Sequence, residues 1–198
     1  CDAIVNLAGE NLFAKRWNPR QKQVLWDSRV IGTTRLAELA AESGTRCFVS
    51  ASAVGWYGPM LGEHADDELD ESSPRGEDFL AELCLDWERA TEPAADAGVR
   101  TAIVRIGVVL GLGGGALAKM LPPFRIGVGG PLGDGRQPVS WIHVDDLVSL
   151  IVFLLENEGA SGVFNATAPE PVTMKELAAT LGRVLRRRDV FPVPAPVF

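Results

Sequence analysis

With 198 residues, 46% hydrophobic and 23% charged, the chain has ordinary globular composition and enough apolar side chains for one good core. Its formal net charge of −7 argues against a nucleic-acid partner, and the basic cluster LRRRD at 185–189 reads as a solvated helix end. The longest apolar run, LVSLIVFLL at 147–155, falls well short of the roughly 18–20 residues of a membrane span. Cys1, Cys47 and Cys84 lie far apart, with no CxxC and no histidine at ligand spacing. That disfavours a metal site or a disulfide framework and points to a reducing, cytoplasmic compartment.

The first element, AIVNLAG at residues 3–9, is a continuous apolar run ending in small residues, as expected of a strand buried on both faces of a parallel sheet. Asn18-Pro19 then supplies an N-cap and a first-turn proline, and the helix they open runs to Ser43 with Gly44 as its stop. Its expected buried stripe is Val24, Leu25, Val30, Ile31, Leu36, Leu39 and Ala40. Residues 46–54 form the second strand and an acidic surface loop follows, with His64 in it solvated. A helix near 78–97 is bent or ended at Pro93 and stopped by Gly98, and residues 100–111 form the third strand. Strands alternating with helical crossovers predict a doubly wound α/β sheet.

Beyond Gly111 the chain is rich in Gly and Pro and holds shorter elements. A short helix at 116–121 is expected to stop at Pro122-Pro123, and a short strand follows at 139–143. Asp145 and Asp146 open an amphipathic helix where negative charge suits its dipole. A fourth strand at 162–168 precedes a helix capped by Thr173, with Glu176 completing a capping box. A strand-like segment at Cys1 and the terminal VPAPVF read as an excerpt from a longer protein.

Two strand ends carry candidate chemistry. Asn6, Ala8 and Gly9 close the first strand in residues small enough for a ligand to approach the backbone, at the carboxyl end where open α/β sheets bind ligands. SASAVGWYG, at 50–58, repeats the arrangement on the second strand. Alternation points Ser50 and Ser52 the same way, and the Ser52 hydroxyl is placed to bond a substrate oxygen. Removing it is expected to slow turnover by about 10–100-fold.

The segments NLAG (6–9), SRVIGT (28–33), SASAVGWYG (50–58) and WIHVDDL (141–147) occur in the order found in extended short-chain dehydrogenases/reductases. The chain resembles that NAD-dependent epimerase/dehydratase superfamily over nearly its whole length. RIGVVLG, PFRIGVGGPLGDGRQ and WIHVDDL narrow the likeness to the atypical epimerase family proteins, often labelled nucleoside-diphosphate-sugar epimerases. The resemblance implies a Rossmann-like domain, made here of residues 1–111 and 143–168, and a small C-terminal substrate lobe of 112–142 and 169–198. It implies NADP(H) in preference to NAD(H), with Asn6, Leu7, Ala8, Gly9, Ser50, Ala51, Arg105 and Gly107 as cofactor contacts. Ser28 stands where such proteins usually carry an asparagine near the active site. Ser52 and Tyr57 are the implied catalytic residues, and Gln137, Trp141 and His143 face or brace the pocket for a small-molecule substrate such as a nucleotide sugar. Helices near 18–43 and 78–98 are implied to pair across a two-fold axis in a homodimer.

Two departures follow. The Gly-rich phosphate-binding turn has its place before Cys1, together with the first strands of the sheet. The Tyr-x-x-x-Lys pair is also missing: its positions fall on Phe79 and Leu83, or on Leu80 and Cys84. Tyr57 is the available stand-in, with no lysine near it in sequence. The chain therefore reads as an NADP(H)-dependent oxidoreductase or nucleotide-sugar epimerase-like protein; the alternative is a non-catalytic NADP(H)-binding redox sensor or scaffold.

Overall fold

The computed structural model describes residues 1–59 and 68–187; His64 lies outside them. Four parallel strands form the central sheet in the order β1 (Ala3–Asn6), β2 (Cys47–Ala53), β3 (Arg100–Ile106) and β7 (Gly162–Ala166). Helix α1 (Pro19–Glu42) links β1 to β2; α2 (Phe79–Arg89) and α3 (Glu92–Asp96) link β2 to β3. Helix α5 (Val144–Glu156) precedes β7. Cys47, Val49, Ala102 and Val104 pack against Leu147, Ile151 and Leu154 of α5, whereas Phe48 packs against Ala37, Ala40 and Ala94 of α1 and α3. The sheet is therefore covered on both faces, as the alternating elements predict.

Asn18 caps α1, its side chain accepting from Gln21 N at 2.8 Å, and Pro19 opens the helix. The buried stripe differs from the expected one. It is Gln21, Leu25, Arg29, Thr33, Ala37 and Ala40, while Val24, Ile31 and Leu39 are exposed. Hydrophobicity misleads here because the sheet face opposite α1 is partly polar. Thr33 bonds Asn6 and Trp87, and Arg29 bonds the Leu25 and Glu10 carbonyls, so these polar residues are buried while Val24, Ile31 and Leu39 are not.

The expected third strand breaks in two. At Gly107 the chain leaves the central sheet, and β4 (Val108–Leu110) pairs in parallel with β6 (Trp141–His143). A Cβ at Gly107 would stand 2.7 Å from the Ser140 carbonyl oxygen, so only glycine lets the two backbones approach. Helix α4 (Gly115–Arg125) also runs past its expected end: Pro122 and Pro123 lie within it, their fixed φ being helical, at the cost of two N–H donors. A short antiparallel pair, β5 (Pro138–Val139) with β8 (Val172–Thr173), leads into α6 (Met174–Leu185), whose N-terminus carries the expected capping box. Among the described residues no helix is long and apolar enough to cross a membrane.

Candidate active site

Side-chain alternation decides what the carboxyl ends of the strands present. Phe48 faces α1, so Ser50 and Ser52 face the same way. The parallel register then aligns Ser52 with Arg105, and Arg105 with Asn165. A polar row crosses three strands on the face covered by α1 and α2.

Glu88, near the end of α2, closes over this row. Its carboxylate takes Arg105 Nε at 2.9 Å and Nη2 at 3.0 Å, a two-pronged ion pair with side chains only 3% and 9% exposed. Ser52 Oγ donates to Glu88 Oε1 at 2.6 Å. Arg105 Nη1 donates to the Tyr57 hydroxyl oxygen at 3.1 Å and to the Glu71 carbonyl at 3.3 Å. The Tyr57 hydroxyl in turn donates to Asn165 Oδ1 at 2.7 Å, and Asn165 N donates to Glu71 Oε1 at 2.7 Å. The guanidinium lies 3.9 Å from the centre of the Trp56 ring. Burial works against the Arg105 charge, but the bonds to Glu88 and Tyr57 and the Glu88 charge outweigh it and hold its protonation above the ordinary range.

Tyr57 ends a 3-10 turn (Val54–Tyr57) that carries β2 out of the sheet. From there it lines a cleft of about 870 Å³ shared with Val108, Gln137, Val139, Asn165 and Thr167. Gln137 Nε2 donates to Leu132 O at 2.9 Å. Trp141 Nε1 donates to Glu170 O at 3.1 Å, tying β6 to the approach to β8. His143 is the N-cap of α5, its Nδ1 accepting from Asp145 N at 3.2 Å. Neither Trp141 nor His143 belongs to the cleft lining.

The residues expected against a cofactor separate by exposure. Leu7, Ala8 and Gly9 are exposed just past β1, whereas Asn6, Ser50, Ala51 and Arg105 are buried and Gly107 lies against Ser140. Asn6 Nδ2 donates to Thr33 Oγ1 at 2.8 Å, which also accepts Trp87 Nε1 at 2.9 Å, and Asn6 Oδ1 takes Ala8 N at 3.2 Å. Ser28 Oγ accepts Glu10 N at 3.0 Å, and Arg29 Nη2 donates to Glu10 O at 3.0 Å. The turn after β1 is thus clamped to α1 on one side and open on the other.

Helix α2 brings hydrocarbon and a thiol to the 3-10 turn: an added Cβ at Gly55 would meet Leu80 Cβ at 3.3 Å and Cys84 Sγ at 3.7 Å. Burial, and then the Glu88 carboxylate, push the Cys84 thiol up to about 11. No group of three or more acidic, His or Cys side chains among the described residues is arranged to hold a metal. Sequence reasoning named Ser52, Tyr57 and Arg105 separately but missed Glu88 and Asn165, which join them. A signal was present for Glu88: with Ala81 and Cys84 it continues the buried stripe of α2 at 3- and 4-residue spacing, a carboxylate where an apolar residue belongs.

Residues 1–167 match the profile of the NAD dependent epimerase/dehydratase family. The chain is 47% identical over 196 residues to the chloroplastic epimerase family protein SDR39U1 homolog of Arabidopsis thaliana, covering 97% of this chain and 55% of that protein. It is 42% identical over 202 residues to human epimerase family protein SDR39U1, covering 100% of this chain and 67% of that protein. A crystal structure of the human protein with NADPH superposes with a TM-score of 0.91 at 40% identity, over 98% of this chain and 66% of that one. MoeE5 in complex with UDP-glucose and NAD shares the fold, with a TM-score of 0.83 at 21% identity over 99% of this chain and 67% of its own. The chain thus spans about half to two-thirds of the length of these relatives, and within that span its parallel sheet, its strand-end turns and its sequence make it a member of the NAD dependent epimerase/dehydratase family.

Proposed function

We propose that the protein containing this chain is an NADP(H)-dependent oxidoreductase or epimerase-like enzyme in which Tyr57 is the proton-transfer residue. One observation carries the reading: the Tyr57 hydroxyl lines the cleft while its oxygen accepts from Arg105 at 3.1 Å and its proton is held on Asn165 at 2.7 Å. A phenol with a charged donor on its oxygen and an acceptor for its proton is equipped for general acid–base work on a substrate oxygen. Arg105 occupies the electrostatic role that a lysine fills elsewhere in the superfamily. Ser52 acts on Tyr57 through Glu88 and Arg105, because its own hydroxyl is committed to the carboxylate.

The residues present fit a nicotinamide dinucleotide along the exit of β1. Leu7-Ala8-Gly9 offers exposed small-residue backbone at the carboxyl end of a parallel strand, and Arg29 backs the turn so closely that a Cβ at Gly9 would stand 3.1 Å from its Cζ. The bound cofactor supplies the hydride chemistry. Asn6 and Ser50, with Ala51, brace the turn and strand from behind, and Gln137 belongs to the substrate wall. The substrate is a nucleotide sugar or another small carbonyl compound. NADP(H) is favoured over NAD(H) by the NADPH in the human relative. Exposed Val24, Ile31 and Leu39 on α1 support pairing of two copies through this helix. The three free cysteines suit a reducing compartment, taken as the cytoplasm, although the Arabidopsis relative is named chloroplastic.

The test is Tyr57→Phe in the full-length protein, assayed by nicotinamide absorbance against a panel of carbonyl compounds and by fluorescence titration with NADPH and NADH. The expected result is a fall of about 100-fold or more in kcat/KM with NADPH affinity held within about threefold. An undiminished kcat/KM removes Tyr57 from the reaction. A second reading, a dinucleotide-binding sensor without turnover, has its own observation in Leu80 and Cys84, which face Gly55 where a tyrosine and a lysine would be needed. Cofactor binding without substrate-dependent oxidation by the wild-type protein selects that reading.

A further inference from the structure

The lining of the cleft beside Tyr57 restricts what can occupy it. Val54, Leu69, Val108, Val139, Val172 and Met174 make much of the wall. The charged side chains among its described lining residues are Glu68, Glu176 and Arg136, an excess of negative charge. A nucleoside-diphosphate group brings two further negative charges, and proteins hold such groups with Arg or Lys forks, glycine-rich backbone cradles or open helix N-termini. The helix whose first turn borders this cleft is α6, and its N-terminus is already filled. Glu176 Oε2 accepts from Thr173 N at 2.8 Å and from Thr173 Oγ1 at 2.9 Å, and Thr173 Oγ1 takes Glu176 N at 3.2 Å. Those bonds, from the backbone first and then the side chain, lower the Glu176 protonation range and keep an ionised carboxylate on the cleft lining. Arg136 is the one cation of the described lining, against two carboxylates, Glu68 and Glu176.

The geometry points to an uncharged, largely apolar carbonyl compound as the substrate of this cleft, in place of a nucleoside-diphosphate sugar. The inference rests on reading the cleft beside Tyr57 as the substrate site. About 870 Å³ of mostly aliphatic wall with a phenol hydroxyl on it suits a ring or chain of moderate size whose carbonyl oxygen meets Tyr57. Selectivity arises from repulsion as much as from fit: Glu68 and Glu176 penalise a phosphorylated competitor.

The experiment uses the full-length protein saturated with NADPH, so that the dinucleotide site is closed to nucleotide probes. Binding of 4-phenyl-2-butanone and of UDP-glucose is measured by saturation-transfer difference NMR. The ketone is expected to bind at least about tenfold more tightly than UDP-glucose, the scale of a like-charge penalty. Glu68→Arg is expected to raise UDP-glucose affinity about 3- to 10-fold and to leave the ketone within about twofold. Equal or tighter binding of UDP-glucose by the wild-type protein overturns the inference, as do binding of neither probe and a Glu68→Arg variant with unchanged UDP-glucose affinity. NADPH oxidation measured in the same samples keeps the two readings apart. Ketone binding without oxidation supports the cleft chemistry while counting against turnover, and turnover alongside tight UDP-glucose binding does the reverse.

Discussion

On one side of β2 and β3 stand Cys47, Val49, Ala102 and Val104, pressed against α5; on the other stand Ser50, Ser52 and Arg105, facing α1 and α2. The first face is held by area and tolerates many apolar residues, because its interactions are non-directional. On the second face Ser52 and Arg105 have specific partners, and they share the Glu88 carboxylate. A loss on the first face leaves a cavity. A loss on the second leaves a charge or a donor without a counterpart, which costs more per atom removed.

The largest effect should come from breaking the shared partner. Glu88→Ala leaves the Arg105 guanidinium, 3% exposed, buried without its carboxylate. Urea denaturation should show a loss of about 3–5 kcal/mol. The double variant Glu88→Met, Arg105→Met should recover most of that loss, because hydrophobic residues of similar volume can replace a buried pair. It should not recover activity, since Tyr57 then lacks its charged donor. A double variant as unstable as Glu88→Ala would mean that apolar packing cannot substitute for the hydrogen-bonded partners of the second face.

Next in size is a pH effect at Cys84, which shares the second face with Glu88. Burial and the neighbouring carboxylate raise its thiol from about 9 to about 11 in the folded protein. Between those values the unfolded chain releases a proton that the folded chain keeps, so unfolding free energy falls as pH rises. Two units correspond to about 2–3 kcal/mol of stability, present in full below pH 8 and lost as pH rises to 11. Denaturation at pH 8 and pH 10.5 should show a smaller decline for Cys84→Ala than for the wild type. Cys47, also raised by burial, contributes the same sign and remains in the variant. Identical declines would show that the thiol does not sense the carboxylate-bearing face.

The apolar face was legible in the sequence and much of the polar face was not, for a physical reason. Continuous apolar runs identify β1, β2 and β3, and capping residues mark the start of α1 and the capping box of α6, because these signals are local. Ser52 and Tyr57 were legible because they lie at the end of a strand and just past it. What joins them is not local: Glu88 arrives from a helix, Asn165 from a strand 108 residues after Tyr57, and both depend on register. The α1 stripe failed for a related reason: Thr33 is held by Asn6 and Trp87, and Arg29 by the Glu10 carbonyl, partners that only the fold brings together. The break at Gly107 was hidden because it is set by the Ser140 backbone, which only the fold brings close.

The finest distinction lies within the polar face, between two serines that sequence could not rank. Ser50 and Ser52 sit two residues apart on β2, both buried, at 0% and 2% exposure. Ser52 donates to a carboxylate at 2.6 Å, whereas Ser50 has only a long 3.4 Å bond to the Ala51 carbonyl. A hydrogen bond to a charged group contributes about 1.5–3 kcal/mol, so Ser52→Ala should lose that much. It should also slow turnover by about 10–100-fold as Glu88, Arg105 and Tyr57 lose alignment. Ser50→Ala removes a weak bond and leaves a methyl among buried atoms, so it should change stability by less than about 1 kcal/mol and leave kcat/KM within about threefold. Paired denaturation and turnover measurements on the two variants read the difference directly. Equal losses would mean that both hydroxyls act as backbone fillers at a strand end, and that the carboxylate contact of Ser52 carries no special weight.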